Sequence, residues 1–429
     1  MSIRLKGGLA LDPAAGTQAR ADVFIEHGRI VAVGRAPGGF KARREIDVSG
    51  CVVAPGLVDL GSRLREPGYE HKASIASEAH AAAGAGFTTL CAMPDTQPIL
   101  DTPAVAEQIH HLAGLARGAR IRCLGALTVG LAGEVLSEMH ALKAAGCVAV
   151  TNLERTIKDT AVLKHALAYA ASAGLTVFLY PEEYWLARQG SMHEGATSTR
   201  LGVPGIPRAA EIIGLHRDLT LVAETGVRAH LCRLSTAEAI KSVVDAKRAR
   251  LAVTADVDLM HLLHTDADAG QFDANFHLRP PLRERSDRAA LRQGIKRGSV
   301  DAITANHEPH DADAKAAPFA LTEPGVSTLD TFLSKLLSLV AAGAFDLQTA
   351  WRAASLTPHR ILGLPGGTLS AGAPADLCVF DPEREWTAGP GTLLSKGLNS
   401  PHLGERLKGR NLLTLVEGQV VFSAKDSKA

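Results

Sequence analysis

The spacing of apolar residues changes twice along the chain and divides the sequence into three parts. Short alternating runs open the chain, and the His27-Gly28 pair between two of them predicts a β-hairpin. After Cys51, strand-like apolar runs alternate with alanine-rich helical stretches, several of which end at a glycine. Near the C-terminus short β runs return, with Glu417-Gly418 at a second predicted hairpin turn. This order indicates β structure at both ends and repeated β-α units between them.

The middle of the chain has the length and the repeat number of a closed barrel. About eight β-α units fit between the two β-rich ends, which is the number that closes a (β/α)8 barrel. We therefore predict an α/β protein with a (β/α)8 TIM barrel over residues 55–362. The flanking segments, residues 1–54 and 363–429, are predicted to form one composite β-sandwich-like domain.

Composition restricts the partners and the compartment. The 46 Lys and Arg residues nearly balance the 45 Asp and Glu residues, so the overall charge does not attract nucleic acid or an anionic membrane. Six scattered cysteines without a C-x-x-C pair are typical of buried thiols in a reducing compartment. No apolar run approaches the length of about 18 residues that a membrane span needs. We therefore expect a cytoplasmic protein that binds neither membrane nor nucleic acid.

Seven sequence blocks resemble those of dihydroorotases, in the family's order and spacing. They are PGLVDL (55–60), LREPG (64–68), GFTTLCAMPDT (86–96), LVAETG (221–226), RPPLR (279–283), NHEPH (306–310) and GGTLSAGAPADLCVFDP (366–382). The resemblance covers nearly the whole chain. It implies a barrel of the amidohydrolase type, in which a bridged zinc pair at the C-terminal ends of the strands activates a water molecule.

The family's metal-ligand positions, matched one by one, hold residues that are poor zinc ligands. Gly61 has no donor atom, and the permanent charge of Arg63 repels a cation. Asn306 stands where the family has an aspartate that is both ligand and general base, and an amide accepts no proton at neutral pH. The degenerate positions are Gly61, Arg63, Asn152, Leu153, Tyr180, Arg233 and Asn306. We therefore expect no catalytic residue, no zinc and no other cofactor.

A remnant of the substrate pocket is also implied by the resemblance. Arg65 and His310 match residues that grip the substrate carboxylate. Asp95, however, replaces a family asparagine and would repel that carboxylate, and Arg279 replaces a second asparagine. We expect a pocket that persists but does not take dihydroorotate.

Two histidine pairs have the spacing of metal ligands. His307 and His310 are either half of a new metal site or remains of the ancestral motif that pack or hydrogen-bond at the barrel mouth. We favour the second interpretation, because no cysteine or carboxylate cluster completes a tetrahedral set. His261 and His264 have helical i, i+3 spacing, and we expect them on an ordinary solvated helix face.

The two arginines at ligand positions also allow two interpretations. Arg63 and Arg233 either bind an anion together or replace the charge of the metal and pair with inward acids such as Glu154 and Glu182. We favour the ion pairs.

Together these features predict a dihydroorotase-like, non-catalytic subunit. The resemblance implies a structural partner of aspartate carbamoyltransferase in pyrimidine biosynthesis, in a homo-oligomer and hetero-oligomer. Two alternatives remain. One is a divergent metal-independent or single-metal cyclic amidohydrolase, and the other is a binding subunit that senses an anion.

Overall fold

The computed structural model describes residues 2–424. Its strands, in chain order, are β1 (Ser2–Lys6), β2 (Leu9–Asp12), β3 (Thr17–Arg20), β4 (Val23–Glu26), β5 (Arg29–Val33), β6 (Arg44–Asp47), β7 (Val52–Pro55), β8 (Leu57–Ser62), β9 (Phe87–Ala92), β10 (Arg120–Ala126), β11 (Ala149–Thr151), β12 (Thr176–Leu179), β13 (Met192–His193), β14 (Gly205–Ile206), β15 (Ala229–Leu231), β16 (Val253–Asp258), β17 (Ala302–Thr304), β18 (Leu377–Thr387), β19 (Arg406–Val416) and β20 (Gln419–Ser423).

The α-helices of the described residues lie between these strands. They are α1 (Ile75–Gly84), α2 (Pro103–Leu115), α3 (Met139–Ala144), α4 (Thr160–Ala173), α5 (Tyr184–Ala187), α6 (Ala196–Leu201), α7 (Arg208–Thr225), α8 (Ala237–Arg248), α9 (Leu259–Leu263), α10 (Arg285–Arg297), α11 (Leu329–Ala341), α12 (Leu347–Trp351) and α13 (Thr357–Ile361). The expected glycine ends are confirmed for α4 and α10, which stop at Gly174 and Gly298 with positive φ values of 63° and 72°. In contrast, α1 and α3 end at the alanines Ala85 and Ala145.

Eight parallel strands form the barrel, in the order β8-β9-β10-β11-β12-β15-β16-β17. The fully buried Asp59 on β8 joins the first strand to the last. Its Oδ1 accepts hydrogen bonds from the Thr304 hydroxyl at 2.6 Å and from the Ala305 N–H at 2.7 Å. The predicted (β/α)8 barrel is confirmed.

Strands from both ends of the chain build two further sheets. One has the order β5-β4-β1-β6, and the other has the order β20-β19-β18-β7-β2-β3. Both predicted hairpins are present, β4-β5 around His27-Gly28 and β19-β20 around Glu417-Gly418. Apolar side chains of both sheets share one buried cluster. We propose to treat these sheets as the composite domain of residues 1–54 and 363–429.

The cysteines are unpaired and mostly buried, as the sequence predicts. All six cysteines are free, and five of them are buried, while Cys51 is half-buried. Within residues 2–424, none of the helices has the length and apolar character needed to cross a membrane.

Candidate functional site

Charged side chains follow five strands of the barrel and meet at its mouth. Parallel strands of a barrel end at the same edge, which is where (β/α)8 enzymes build their sites. The five residues are Arg63 after β8, Asp95 after β9, Glu154 after β11, Arg233 after β15 and Glu308 after β17. We call them the arginine–carboxylate network.

Arg63 lies buried among three carboxylates. Its Nε donates to Asp95 Oδ2 at 2.6 Å, and its Nη2 donates to Glu154 Oε2 at 2.7 Å. Its Nη1 forms an ion pair with Glu308. Burial alone would lower the pKa of Arg63, but Asp95 and Glu308 outweigh burial and raise that pKa. The guanidinium therefore stays charged although only 9% of its side chain is exposed.

Arg233 completes the network from the opposite side. Its guanidinium pairs with Glu154 and, at 3.3 Å, with Glu308, and it lies 4.3 Å from the centre of the Tyr180 ring. Burial lowers the pKa of Arg233 to about 10. Both glutamates are shared with Arg63, so the four side chains form one ion-pair cluster. The predicted pairing of the two arginines with inward acids is confirmed for Glu154.

Asn306 links this network to a buried carboxyl group. Its Oδ1 accepts from Arg233 Nη1 at 2.9 Å, and its Nδ2 donates to Asp258 Oδ2 at 3.1 Å. The backbone of Asn306 has a φ of 46°, a left-handed conformation that asparagine tolerates better than most residues. Burial raises the pKa of Asp258 to about 7. The amide is therefore fixed between a guanidinium and a carboxyl group.

The remaining ligand positions of the family do not all face this centre. A Cβ at Gly61 would lie 2.7 Å from the Met93 methyl group and 3.7 Å from the Tyr180 hydroxyl, so Gly61 lets these side chains fill the barrel. Asn152 is held away by a threonine hydroxyl and a backbone carbonyl, and Leu153 packs inside the barrel. The degenerate positions brought together are Gly61, Arg63, Tyr180, Arg233 and Asn306. That these positions lost an ancestral metal site stays a prediction.

A group of possible metal ligands lies beside the network. One donor atom each from His230, Cys232 and Asp256 lies within 4.8 Å of the others, and all three residues are buried. The His230 Nε2 is 2.8 Å from Asp256 Oδ2, and its Nδ1 is 2.8 Å from the Thr254 hydroxyl. A hydrogen bond to the second ring nitrogen is the usual support of a metal-binding histidine.

The donor set of this group fits one transition-metal ion. Imidazole, thiolate and carboxylate are all zinc ligands, and catalytic zinc sites have three protein ligands with one position open. Burial raises the pKa of the Cys232 thiol well above its usual value, so a metal would have to displace its proton. The expectation of no metal assumed that the chain lacks a set of metal ligands. That assumption is wrong, because three donors that could hold a metal ion are present.

The predicted substrate pocket is only partly assembled. Arg65 Nη2 lies 3.1 Å from His310 Nε2, and Lys72 Nζ lies 3.3 Å from His310 Nδ1. Burial, together with Arg65 and Lys72, lowers the pKa of His310 to about 2, so this ring is neutral. Within residues 2–424 Arg65 forms no ion pair with a carboxylate, and burial lowers the pKa of its guanidinium. Asp95 accepts a hydrogen bond from Arg63, so its carboxylate is already paired.

Arg279 contributes to a different part of the mouth. It binds Glu182 through two hydrogen bonds, at 2.5 and 3.1 Å, and no hydrogen bond within the described range joins it to Arg65 or His310. The pair lines a cleft that also reaches Cys232 and Arg233. Of the candidate metal group, only Cys232 lines this cleft, while His230 and Asp256 are buried behind it.

Two histidine predictions have opposite outcomes. His307 uses both ring nitrogens, because Nε2 donates to the buried Glu78 at 2.7 Å and Nδ1 accepts from the Thr328 N–H at 3.1 Å. The hydrogen-bonding interpretation is confirmed for His307. His261 is 3% exposed and bonds to backbone carbonyls, so the predicted solvated face is wrong. The segment around residues 277–283 covers it.

The sequence analysis did not identify the candidate metal group. His230 lies on β15 and Cys232 directly follows that strand, two residues along, so this spacing was an available signal. Asp256 lies on the neighbouring strand β16, whose register places His230 level with Thr254 and Leu231 level with Ala255. That register is set by tertiary pairing.

Comparisons with known proteins agree on the family. The family model described as "Dihydro-orotase-like" matches residues 50–239. A "Dihydroorotase-like protein" of Pseudomonas aeruginosa is 46% identical over 98% of this chain and 99% of its own length. A "Dihydroorotase" of Anaeromyxobacter sp. strain K is 41% identical over 97% of both chains. The chain therefore belongs to the dihydroorotase-like amidohydrolase family.

Solved structures support the fold. The L-hydantoinase of Arthrobacter aurescens superposes with a TM-score of 0.88 at 20% identity, covering 100% of this chain and 97% of its own. A D-hydantoinase superposes with a TM-score of 0.84 at 21% identity, covering 99% of this chain and 95% of its own.

These relatives correct the expectation that the chain is no enzyme. Full-length relatives at 41% identity carry the name of a hydrolase, and in this chain three buried side chains of the barrel form a group that could hold a metal ion. The expectation considered only the family's metal positions, and His230, Cys232 and Asp256 lie outside them.

Proposed function

We propose that the chain hydrolyses a cyclic amide, with a single metal ion held by His230, Cys232 and Asp256. One observation carries this proposal: three zinc-type donors lie within 4.8 Å of one another inside the barrel of a chain that has relatives named dihydroorotase. The relatives named dihydroorotase favour dihydroorotate or a similar ring as substrate.

The chemistry that a divalent ion supplies in such a site is polarisation of a carbonyl group and activation of water. Arg65 is the group best placed to bind an anionic substituent, because it has no carboxylate partner among residues 2–424. Asp95 would oppose an anion, but Arg63 neutralises it at 2.6 Å. The objection to a carboxylated substrate is therefore weaker than the sequence indicates.

The arginine–carboxylate network keeps the mouth rigid around this site. Arg233 sits next to Cys232 in the chain, and its backbone N–H donates to Asp256 Oδ1 at 2.7 Å. The backbone of Arg233 thereby holds one carboxylate oxygen of Asp256, and the other oxygen lies 2.8 Å from His230 Nε2. Groups held in this way need little reorganisation during a reaction.

The experiment compares hydrolysis and metal content of the purified chain. Ring opening of dihydroorotate, hydantoin and dihydrouracil is followed after loading with zinc, in the wild type and in Cys232→Ser. Cys91→Ser is the matched control, because Cys91 is another buried thiol inside the same barrel. We expect Cys232→Ser to lose bound zinc and turnover, and Cys91→Ser to keep both. Turnover that survives in metal-free protein would contradict the metal-dependent form of the proposal.

We also propose, on the resemblance alone, that the chain assembles with further copies of itself and with aspartate carbamoyltransferase. Co-purification from the native host tests this association. Recovery of the chain without carbamoyltransferase activity would contradict it.

A further inference from the structure

Two cationic side chains that follow β8 contact the same imidazole ring. Arg65 Nη2 lies 3.1 Å from His310 Nε2, and Lys72 Nζ lies 3.3 Å from His310 Nδ1. The Nε2 atom is also 3.0 Å from the Pro324 carbonyl oxygen, which favours a proton on Nε2 and leaves Nδ1 to accept from Lys72. The neutral ring brings the two charges close together without neutralising either of them.

The carboxylate of Glu323 covers one of these cations. Both of its oxygens accept hydrogen bonds from Lys72 Nζ, at 2.7 and 2.6 Å, and its Oε2 lies 3.5 Å from His310 Nδ1. The Lys72 side chain is 9% exposed, whereas the Glu323 side chain is 53% exposed. A carboxylate that is half in solvent therefore pairs with an ammonium group that is buried.

The cluster holds more cations than contacting carboxylates. Lys315 Nζ donates to two backbone carbonyls, one of them that of Glu323 at 2.6 Å, and it forms no ion pair with a carboxylate in the described part of the chain. Arg65 Nε likewise donates to a backbone carbonyl, at 3.0 Å. Three cations beside one carboxylate make this part of the mouth favourable for an anion.

The backbone of Glu323 is held independently of its side chain. Its N–H donates to the Ala314 carbonyl at 3.0 Å, and its own carbonyl accepts from Lys315. Two residues further on, the Gly325 N–H donates to the His277 carbonyl at 2.8 Å. Side chains at the surface change rotamer within nanoseconds. The carboxylate can therefore leave Lys72 by a rotation of its side chain while the segment stays in place.

We propose that Glu323 is an internal competitor for the carboxylate of an anionic ring. The carboxylate of the ring takes the place of Glu323 on Lys72 and also meets Arg65, which lies on the other side of the His310 ring. Because one ion pair replaces another, Glu323 weakens the binding of a carboxylated ring and Lys72 strengthens it. This inference rests on the proposed function, and it adds Lys72 and Glu323 as residues that determine the selectivity for charge.

The test measures binding instead of turnover. Orotate carries a carboxylate on a pyrimidine ring, and uracil is the same ring without it. The Kd of each is measured by isothermal titration calorimetry with zinc-loaded wild type, Glu323→Gln and Lys72→Gln. We expect Glu323→Gln to bind orotate roughly tenfold more tightly, which is the gain for a site that its own carboxylate occupies about nine tenths of the time. Lys72→Gln should bind orotate roughly tenfold more weakly. The Kd of uncharged uracil should change less than about twofold in both variants.

Glu383→Gln is the matched control. Glu383 lies on β18, outside the barrel, and also pairs with a lysine, Lys408, with side chains 76% and 56% exposed. We expect this control to bind both rings as the wild type does. If Lys72→Gln folds poorly, the half-exposed position of Glu323→Gln decides alone.

Three results would overturn the proposal. They are an unchanged orotate Kd in Glu323→Gln, a uracil Kd that falls as much as the orotate Kd, and no orotate binding by any of these proteins. Tighter orotate binding by Glu323→Gln in a protein that opens no cyclic amide would support this inference and contradict the proposed function. Ring opening together with an unchanged orotate Kd in Glu323→Gln would do the reverse.

Discussion

The arginine–carboxylate network gives the sharpest prediction about stability. Replacing Arg63 by glutamine leaves Glu154 and Glu308 with the single guanidinium of Arg233 and removes the ion-pair partner of Asp95. The Arg63 side chain is 9% exposed, and breaking a buried ion pair by removing one partner costs about 3–5 kcal/mol. We expect Arg63→Gln to lower the free energy of unfolding by this amount in urea titrations at neutral pH.

The deficit should depend on pH, and its sign can be derived. Burial acts to raise the pKa of Asp95, but Arg63 and Arg65 outweigh burial and lower that pKa. A lowered folded-state pKa contributes stability that is present above the unfolded-state value and is lost as pH falls through the folded-state value. The difference between the wild type and Arg63→Gln should therefore shrink in acid, as the carboxylates take up protons.

The control is an exposed ion pair of the same chemistry. Arg406 pairs with Glu385, with side chains 75% and 52% exposed, so Arg406→Gln should cost less than about 1 kcal/mol. Adding Glu154→Gln to Arg63→Gln should restore part of the loss, because it removes one uncompensated charge. A loss below about 1 kcal/mol in Arg63→Gln, or a loss that does not change with pH, would refute the reasoning.

Three further predictions concern single side chains. Asp59→Asn should lower the free energy of unfolding by about 2–3 kcal/mol in urea titrations, because a buried carboxylate that joins the first and last barrel strands loses its charge-assisted bonds; an unchanged midpoint would argue against this closure. Burial raises the pKa of Asp218 from 3.8 to about 6, so the wild type should lose about 3 kcal/mol of folding free energy as pH rises from the unfolded-state pKa through the folded-state pKa. Asp218→Asn should lack this loss, and parallel pH profiles of the free energy of unfolding in the two proteins would contradict the prediction. Arg65→Gln should raise KM for a carboxylated ring roughly ten- to hundredfold with kcat nearly unchanged in steady-state assays, whereas an equal KM for the charged ring would exclude Arg65 from binding.

The local patterns of the sequence determine most of the fold. Most strands of the barrel follow from short apolar runs, and the hairpins at His27-Gly28 and Glu417-Gly418 follow from turn residues. Exposure was harder to predict. His261 has the helical spacing of a surface residue, but a distant proline segment covers it, and such coverage leaves no trace in local periodicity.

The site shows the same division. The contact of Arg63 with Glu154 could be predicted, because both follow parallel strands that end at one edge. The candidate metal group could not be predicted in this way, because the position of Asp256 relative to His230 and Cys232 depends on the register between β15 and β16. Its absence from the sequence analysis led to the incorrect expectation of a chain without metal or activity.

The most direct test of the proposed function is zinc content measured together with dihydroorotate hydrolysis in the wild type and in His230→Gln. The proposal predicts metal-dependent ring opening in the wild type, and loss of both the barrel-mouth zinc and the turnover in His230→Gln, which leaves the backbone of β15 unchanged. A wild-type protein that is loaded with zinc and opens neither dihydroorotate nor a related cyclic amide would contradict it, as would His230→Gln protein with undiminished turnover.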